Sequence, residues 1–155
     1  MSITVGKKVK SFTAPATSEL TFKLSDYKSK NVVLYFYPRD NTPGCTTESI
    51  DFGTHHDEFL AHNTVVFGIS RDTIKSHEKF KEKFNFPFEL IADPEETICN
   101  LFSVMKDKNM YGKKVRGIER STFLIDANGV LVREWRKVKV PEHVEEVLAE
   151  VKNLA

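Results

Sequence analysis

Two apolar runs constrain this chain more than anything else in it: Asn31 to Tyr37 (Val32-Val33-Leu34-Tyr35-Phe36-Tyr37 after the asparagine) and Thr64 to Ile69. Both have strand length, and neither alternates apolar with polar as a half-exposed strand would. A nearly continuous run of this kind belongs in a strand covered on both faces. The charged segment Thr73 to Phe84 carries Ile74, His77, Phe80 and Phe84 on one side and reads as a helix. Buried strands separated by amphipathic helices predict an α/β sandwich around a mixed sheet.

The rest of the chain supplies the covering layers. Phe12 and Phe22 bracket a short N-terminal hairpin, with Leu24-Ser25-Asp26 as a turn. Cys45 to about Ala61 shows a broken helical stripe of Ile50, Phe52, Phe59 and Leu60. Phe88 to Ile91 reads as a short strand; Phe84, Phe86 and Phe88 are core rather than a lipid site. Asp93-Pro94-Glu95-Glu96 has the composition of a helix start, leading into Ile98, Cys99, Leu101 and Phe102. Met105 to Val115 reads as an exposed basic loop. Ser121 to Asp126 and Val130 to Trp135 flank Ala127-Asn128-Gly129, a hairpin signal, and Pro141 opens a last amphipathic helix.

Composition narrows the function classes. Lys plus Arg number 23 and Asp plus Glu 22, so the net charge of +1 gives no general attraction to nucleic acid or membrane. No apolar run approaches the ~18 residues of a membrane span, and Met1 to Lys10 lacks the apolar stretch of a secretory signal. The 155 residues read as one domain, 1–155. Two cysteines are too few for a disulfide scaffold and suit a reducing compartment, here the cytoplasm.

Chemistry concentrates in Pro38-Arg39-Asp40-Asn41-Thr42-Pro43-Gly44-Cys45-Thr46-Thr47-Glu48. Cys45 follows a Pro-Gly turn after a strand and stands where a helix begins, a place of unpaired N–H groups and positive dipole. That environment favours the thiolate, the reactive form of cysteine. Thr42, three residues earlier, offers a hydroxyl to the same pocket. A Cys-x-x-Cys redox pair is absent, because Glu48 and Thr42 occupy the positions three residues either side. A Cys–His hydrolase stays open, since such a pair forms in space. His55, His56, His62, His77 and His143 match no zinc spacing and are expected to be solvated or partly packed.

These residues resemble the peroxiredoxins. Pro38-x-x-x-Thr42-x-x-Cys45 looks like their active-site signature, and Thr42-Pro43-Gly44-Cys45-Thr46-x-Glu48 is similar to the bacterioferritin-comigratory-protein (peroxiredoxin Q) subfamily. Arg120-Ser121-Thr122-Phe123-Leu124-Ile125-Asp126 and Trp135 to Val140 are two further matches in order. The resemblance implies a thioredoxin-like fold and a thiol-dependent peroxidase without a cofactor or metal. Cys45 would be the peroxidatic nucleophile, forming a sulfenic acid from hydrogen peroxide or an organic hydroperoxide. Thr42 would hydrogen-bond the peroxide, Pro38 would shield the pocket, and Arg120 would bring positive charge to the sulfur. Glu48 either orients Arg120 or favours the helix N-terminus; Arg39 is a candidate for the pocket rim.

One departure stands out. Many subfamily members carry a resolving cysteine five residues after the first, where this chain has Ile50. The subfamily's alternative position lies in the preceding helix, where this chain has Lys81 and Lys83. Cys99 is the only other thiol. It is a resolving residue after local unfolding, a buried structural residue, or irrelevant to an external thiol that does the work. The expectation is a one-cysteine mechanism, with thioredoxin or glutathione and glutaredoxin as reductant. The resemblance to the subfamily favours a monomer, and the absence of a long extension after the last helix points the same way. The competing expectation is a thioredoxin-fold binding module that has lost catalysis.

Overall fold

The computed structural model describes residues 3–154. A short antiparallel hairpin, β1 (Thr13–Pro15) and β2 (Thr21–Lys23), opens the chain and is followed by a 3-10 turn at Leu24–Tyr27. Then come β3 (Asn31–Phe36), α1 (Pro43–Thr54), α2 (His56–Ala61), β4 (Thr64–Ser70), α3 (Ile74–Phe84) and β5 (Glu89–Ala92). The chain continues through α4 (Thr97–Leu101), β6 (Met105–Met110), β7 (Lys113–Ile118), β8 (Ser121–Ile125), β9 (Leu131–Trp135) and α5 (His143–Lys152).

Five strands form the central sheet in the order β5-β4-β3-β8-β9. β3, β4 and β5 run parallel, while β8 and β9 are antiparallel additions, so the sheet is mixed as expected. Every residue of β3 is buried, which is what its unbroken apolar run required. Val32, Leu34 and Phe36 point into one core, shared with Ile69, Phe102 and Phe123. Val33, Tyr35 and Tyr37 point into the other, shared with Phe52 of α1, Phe80 of α3 and Val147 of α5. The period of two along the strand thus assigns successive residues to opposite layers.

Four expected boundaries differ. Met105 to Val115 is not a loop: β6 and β7 pair as a separate antiparallel hairpin from Met105↔Ile118 to Met110↔Lys113. Its turn uses Tyr111 (φ 53°) and Gly112 (φ 78°), both left-handed as a two-residue hairpin turn demands. The ribbon is mostly exposed and lysine-rich, so no apolar pattern announces it. The helix expected from Pro94 begins at Thr97, because Glu96 adopts φ 65° and its N–H closes a turn onto the Asp93 carbonyl at 3.0 Å. The Cys45–Ala61 stripe starts earlier, at Pro43, and is broken at His55 (φ −97°, ψ 6°) into two helices. Gly53 and Thr54, weak helix formers, precede the break. The last helix starts at His143 rather than Pro141, after Glu142 at φ 65°.

Candidate active site

The loop leaving β3 at Tyr37 turns directly into α1. Thr42 is the N-cap, in extended conformation (φ −94°, ψ 155°), and Pro43 fills the first helical position, where a missing N–H costs nothing. Cys45 is therefore the third helical residue, inside the first turn. The Thr42 carbonyl accepts from Thr46 N–H at 2.9 Å, and its hydroxyl donates to the Arg39 carbonyl at 2.9 Å instead of capping the helix. Cys45 is buried, and α1 directs it into the same core as Tyr37 and Phe52.

Sheet topology brings Arg120 to this point. Ser121, the first residue of β8, pairs with Phe36, the last of β3, so the residue before Ser121 lies beside the start of the β3–α1 loop. From there Arg120 Nη2 donates to Cys45 Sγ at 3.4 Å and Nη1 to Glu48 Oε1 at 2.7 Å. Gly44 permits this approach: a Cβ at that position would stand 3.1 Å from Arg120 Nη2. Any side chain at 44 would crowd the guanidinium, which would have to give by a few tenths of an ångström.

Glu48 is fully buried, and its second carboxylate oxygen has no hydrogen-bond partner among the described residues. Burial pushes its pKa up to about 7, although the Arg120 charge and hydrogen bond pull the other way. Burial also works against the Arg120 cation, but Glu48 and Cys45 outweigh it and the guanidinium pKa is raised. The site is a guanidinium held by one carboxylate and aimed at one sulfur. Chemically it can hold a thiolate and accept negative charge developing on an oxygen next to it.

The other candidates are placed less tightly. Pro38 is half-buried just after β3, and Arg39 is exposed on the same loop. Ile50 is 42% exposed on α1. Cys99 does not share the core of Cys45, for it packs in the opposite one with Phe36 and Phe102. Its thiol pKa is pushed well up, by burial first and then by Asp93. The histidines need correction. His77 and His143 are buried and hydrogen-bonded rather than solvated, each held by specific oxygens on neighbouring elements. Among the described residues none of the five hydrogen-bonds Cys45, whose partner is Arg120. Sequence reasoning passed over Asp40 and its contacts with Tyr37 and His77. The signal available was a histidine on the apolar stripe of α3, where a buried imidazole needs partners.

Comparison with known proteins agrees with this site. The AhpC/TSA family model matches residues 5–134. The chain is 49% identical to Peroxiredoxin Bcp of Bacillus subtilis over 155 residues, covering 100% of this chain and 99% of that one. A putative peroxiredoxin bcp of Coxiella burnetii is 49% identical over 148 residues, covering 96% and 98%. Among solved structures, a Cys-to-Ser mutant of Xylella fastidiosa PrxQ superposes with TM-score 0.94 at 41% identity, covering 99% and 98%. A trapped intermediate/ligand complex of Xanthomonas campestris bacterioferritin comigratory protein, described for its alkyl peroxide reduction activity, gives 0.88 at 44% identity, covering 92% and 90%. The chain belongs to the AhpC/TSA family of peroxiredoxins, and its fold is thioredoxin-like. It is a thiol-dependent peroxidase, not a binding module that has lost catalysis.

Proposed function

We propose that Cys45 is the peroxidatic nucleophile and that Thr42, Arg120 and Pro38 complete its peroxide pocket, with Glu48 orienting Arg120. One observation carries the reading: the Arg120 guanidinium lies 3.4 Å from Cys45 Sγ, in the first turn of α1. The Cys45 thiolate attacks the terminal oxygen of hydrogen peroxide or an organic hydroperoxide. An S–O bond forms as the O–O bond breaks, and the peroxide's proton passes to the leaving oxygen, which departs as water or an alcohol. The sulfenate left on sulfur takes a proton from solvent to become the sulfenic acid. Arg120 faces the charge that moves from sulfur to the leaving oxygen. The Thr42 hydroxyl orients the peroxide and Pro38 shields the reacting atoms.

Reduction of the sulfenic acid falls to an external thiol. That thiol attacks the Cys45 sulfur, releases water and leaves a mixed disulfide, which a second thiol reduces. The support is that the two thiols belong to different cores: Cys45 and Cys99 pack on opposite faces of the central sheet, and a disulfide needs Cα atoms within about 7 Å. Thioredoxin, or glutathione with glutaredoxin, is the reductant, and parallel turnover assays separate them. The protein works as a single-domain monomer in the cytoplasm, where thiols are supplied; no helix among the described residues is long and apolar enough to cross a membrane. Sedimentation of the reduced protein checks the monomer.

The test is stopped-flow reaction with hydrogen peroxide. Wild type consumes one equivalent and gives a dimedone adduct at Cys45, while Cys45→Ser is inert. A stoichiometric Cys45–Cys99 disulfide by mass would overturn the one-cysteine mechanism, and an active Cys45→Ser would overturn the whole assignment.

A further inference from the structure

The loop from Pro38 to Asn41 belongs to neither β3 nor α1, yet it carries Pro38 and delivers Thr42, the N-cap of α1, which are two of the groups assigned to the peroxide. It is fastened from outside by α3 and by the turn after β4. Asp40 is the hub. Its Oδ1 accepts from the Tyr37 hydroxyl at 2.6 Å, and its Oδ2 accepts from the Ser76 hydroxyl at 2.7 Å and faces His77 Nδ1 at 2.7 Å. The Asp40 N–H donates to Asp72 Oδ2 at 2.8 Å, an oxygen that also accepts from the Ser70 hydroxyl at 2.5 Å. His77 is fully buried, and its Nε2 donates to the Ile91 carbonyl of β5 at 2.9 Å. One residue further on, Asn41 takes φ 61° and its side-chain oxygen accepts from Lys83 Nζ at 3.2 Å.

The proton count explains why a histidine stands here. The Ile91 carbonyl only accepts, so Nε2 carries a proton. One further proton lies between Nδ1 and Asp40 Oδ2, and the pair is neutral as a unit however that proton is shared. A neutral pair with its oxygens satisfied can be buried, whereas Asp40 alone would be an uncompensated carboxylate. Asp40, Asp72 and His77 present ligand atoms within 4.8 Å of one another. Those atoms are already engaged in the bonds above, which makes the cluster a clasp and not a cation site.

We infer that the Asp40–His77 pair positions the peroxide-binding loop, making His77 a positioning residue for the peroxide step although it touches neither sulfur nor substrate. The inference rests on the peroxide-pocket reading. Two sets of contacts separate at Cys45. The sulfur is set by Arg120 and Glu48, which hang from β8 and α1. The loop that presents Thr42 and Pro38 hangs from α3, Asp72 and β5. Loosening the clasp therefore misplaces the peroxide while leaving the sulfur's own reactivity unchanged. Misplacement of a reacting group by about 1 Å can cost roughly 10²-fold.

The experiment compares two rates on the same protein: hydrogen peroxide reduction by stopped flow, and alkylation of Cys45 by iodoacetamide at the same pH. Expected for His77→Leu is a fall of at least about tenfold in the peroxide rate, with alkylation within about twofold of wild type. Asp40→Asn is the conservative rescue, since its amide donates to a neutral His77 Nδ1 and its carbonyl still accepts from Tyr37; it should recover most of the peroxide rate. His77→Leu combined with Thr42→Val should lose little more than the worse single variant, because both act through one loop. If His77→Leu does not fold, His77→Gln, which keeps one donor, should show the same selective loss in smaller measure. Equal falls in both rates, no fall in either, or additive losses in the double variant would overturn the inference. Failure of the peroxide-pocket reading is separate, and appears as wild type and Cys45→Ser behaving alike.

Discussion

The molecule contains two cysteines in nearly the same local setting. Cys45 is the third residue of α1 and Cys99 the third of α4, and they are 1% and 0% exposed. They lie on opposite faces of one sheet. What differs is the charge turned toward the sulfur. Cys45 faces Arg120 at 3.4 Å, whereas Cys99 sits against Asp93, whose carboxylate takes the Cys99 N–H at 2.7 Å and joins burial in raising the thiol pKa. A helix start and a dry environment are therefore common to both sulfurs. The neighbouring cation is what separates them, and burial alone disfavours a charged sulfur.

Removing that cation is the strongest way to break the comparison. Arg120→Met should lower the rate with hydrogen peroxide by about 10²-fold or more, in the range lost with an oxyanion donor. Arg120→Lys should recover only part of it. A lysine is a point charge and does not span Glu48 Oε1 and Cys45 Sγ as the two arms of the guanidinium do. Stopped-flow traces of the three proteins at one pH decide the matter, and equal rates for arginine and methionine would make the guanidinium a bystander.

Burial also separates two titrating groups on the Cys45 side, with opposite signs. Glu48 has a folded pKa of about 7 against an ordinary 4.5, so its contribution is full below about 4.5 and is lost as pH rises through 7. His143 has a folded pKa of about 4 against 6.5, set by burial first, so its contribution is present above 6.5 and lost as pH falls through 4. Each is worth on the order of 3 kcal/mol at about 1.4 kcal/mol per unit. Between pH 4.5 and 6.5 the two oppose one another. Relative to wild type, Glu48→Gln should gain stability as pH rises from 4.5 to 7, and His143→Gln should gain as pH falls from 6.5 to 4. Urea unfolding across that range reads both slopes, and parallel curves for all three proteins would remove these groups from the account.

The sheet and the position of Cys45 were legible because they rest on local signals: unbroken apolar runs for β3 and β4, and a Thr-Pro-Gly helix start before the cysteine. Arg120 was legible only through the resemblance, since nothing around Glu119-Arg120-Ser121 marks it. Its role comes from the antiparallel pairing of Ser121 with Phe36, a non-local fact. The β6–β7 ribbon was missed for a different reason. It is stabilised by its own ladder and turn, and its residues are largely polar and exposed, so no hydrophobic period exists to be read. The Asp40–His77 clasp joins residues 37 positions apart, and Asp40 alone looks like an ordinary loop acid. The sequence puts Cys99 well inside a helix expected from Pro94, whereas the structure starts that helix at Thr97 and turns the Asp93 carboxylate onto the Cys99 N–H.

The smallest effects sharpen the comparison from the Cys99 side. Asp93→Ala leaves the buried Cys99 N–H without its acceptor and should cost about 1–3 kcal/mol of stability. It should not make Cys99 reactive, because burial is the larger cause of the raised thiol pKa and burial remains. In the native variant iodoacetamide should label Cys45 and not Cys99. Cys99→Ala should cost about 1 kcal/mol for a small cavity and leave the peroxide rate within twofold. If Cys99→Ala instead slowed recycling by an external thiol while sparing the first oxidation, Cys99 would be taking part in resolution across the sheet. The two cores would then have to open during turnover, and the difference between the two thiols would be one of timing rather than of charge.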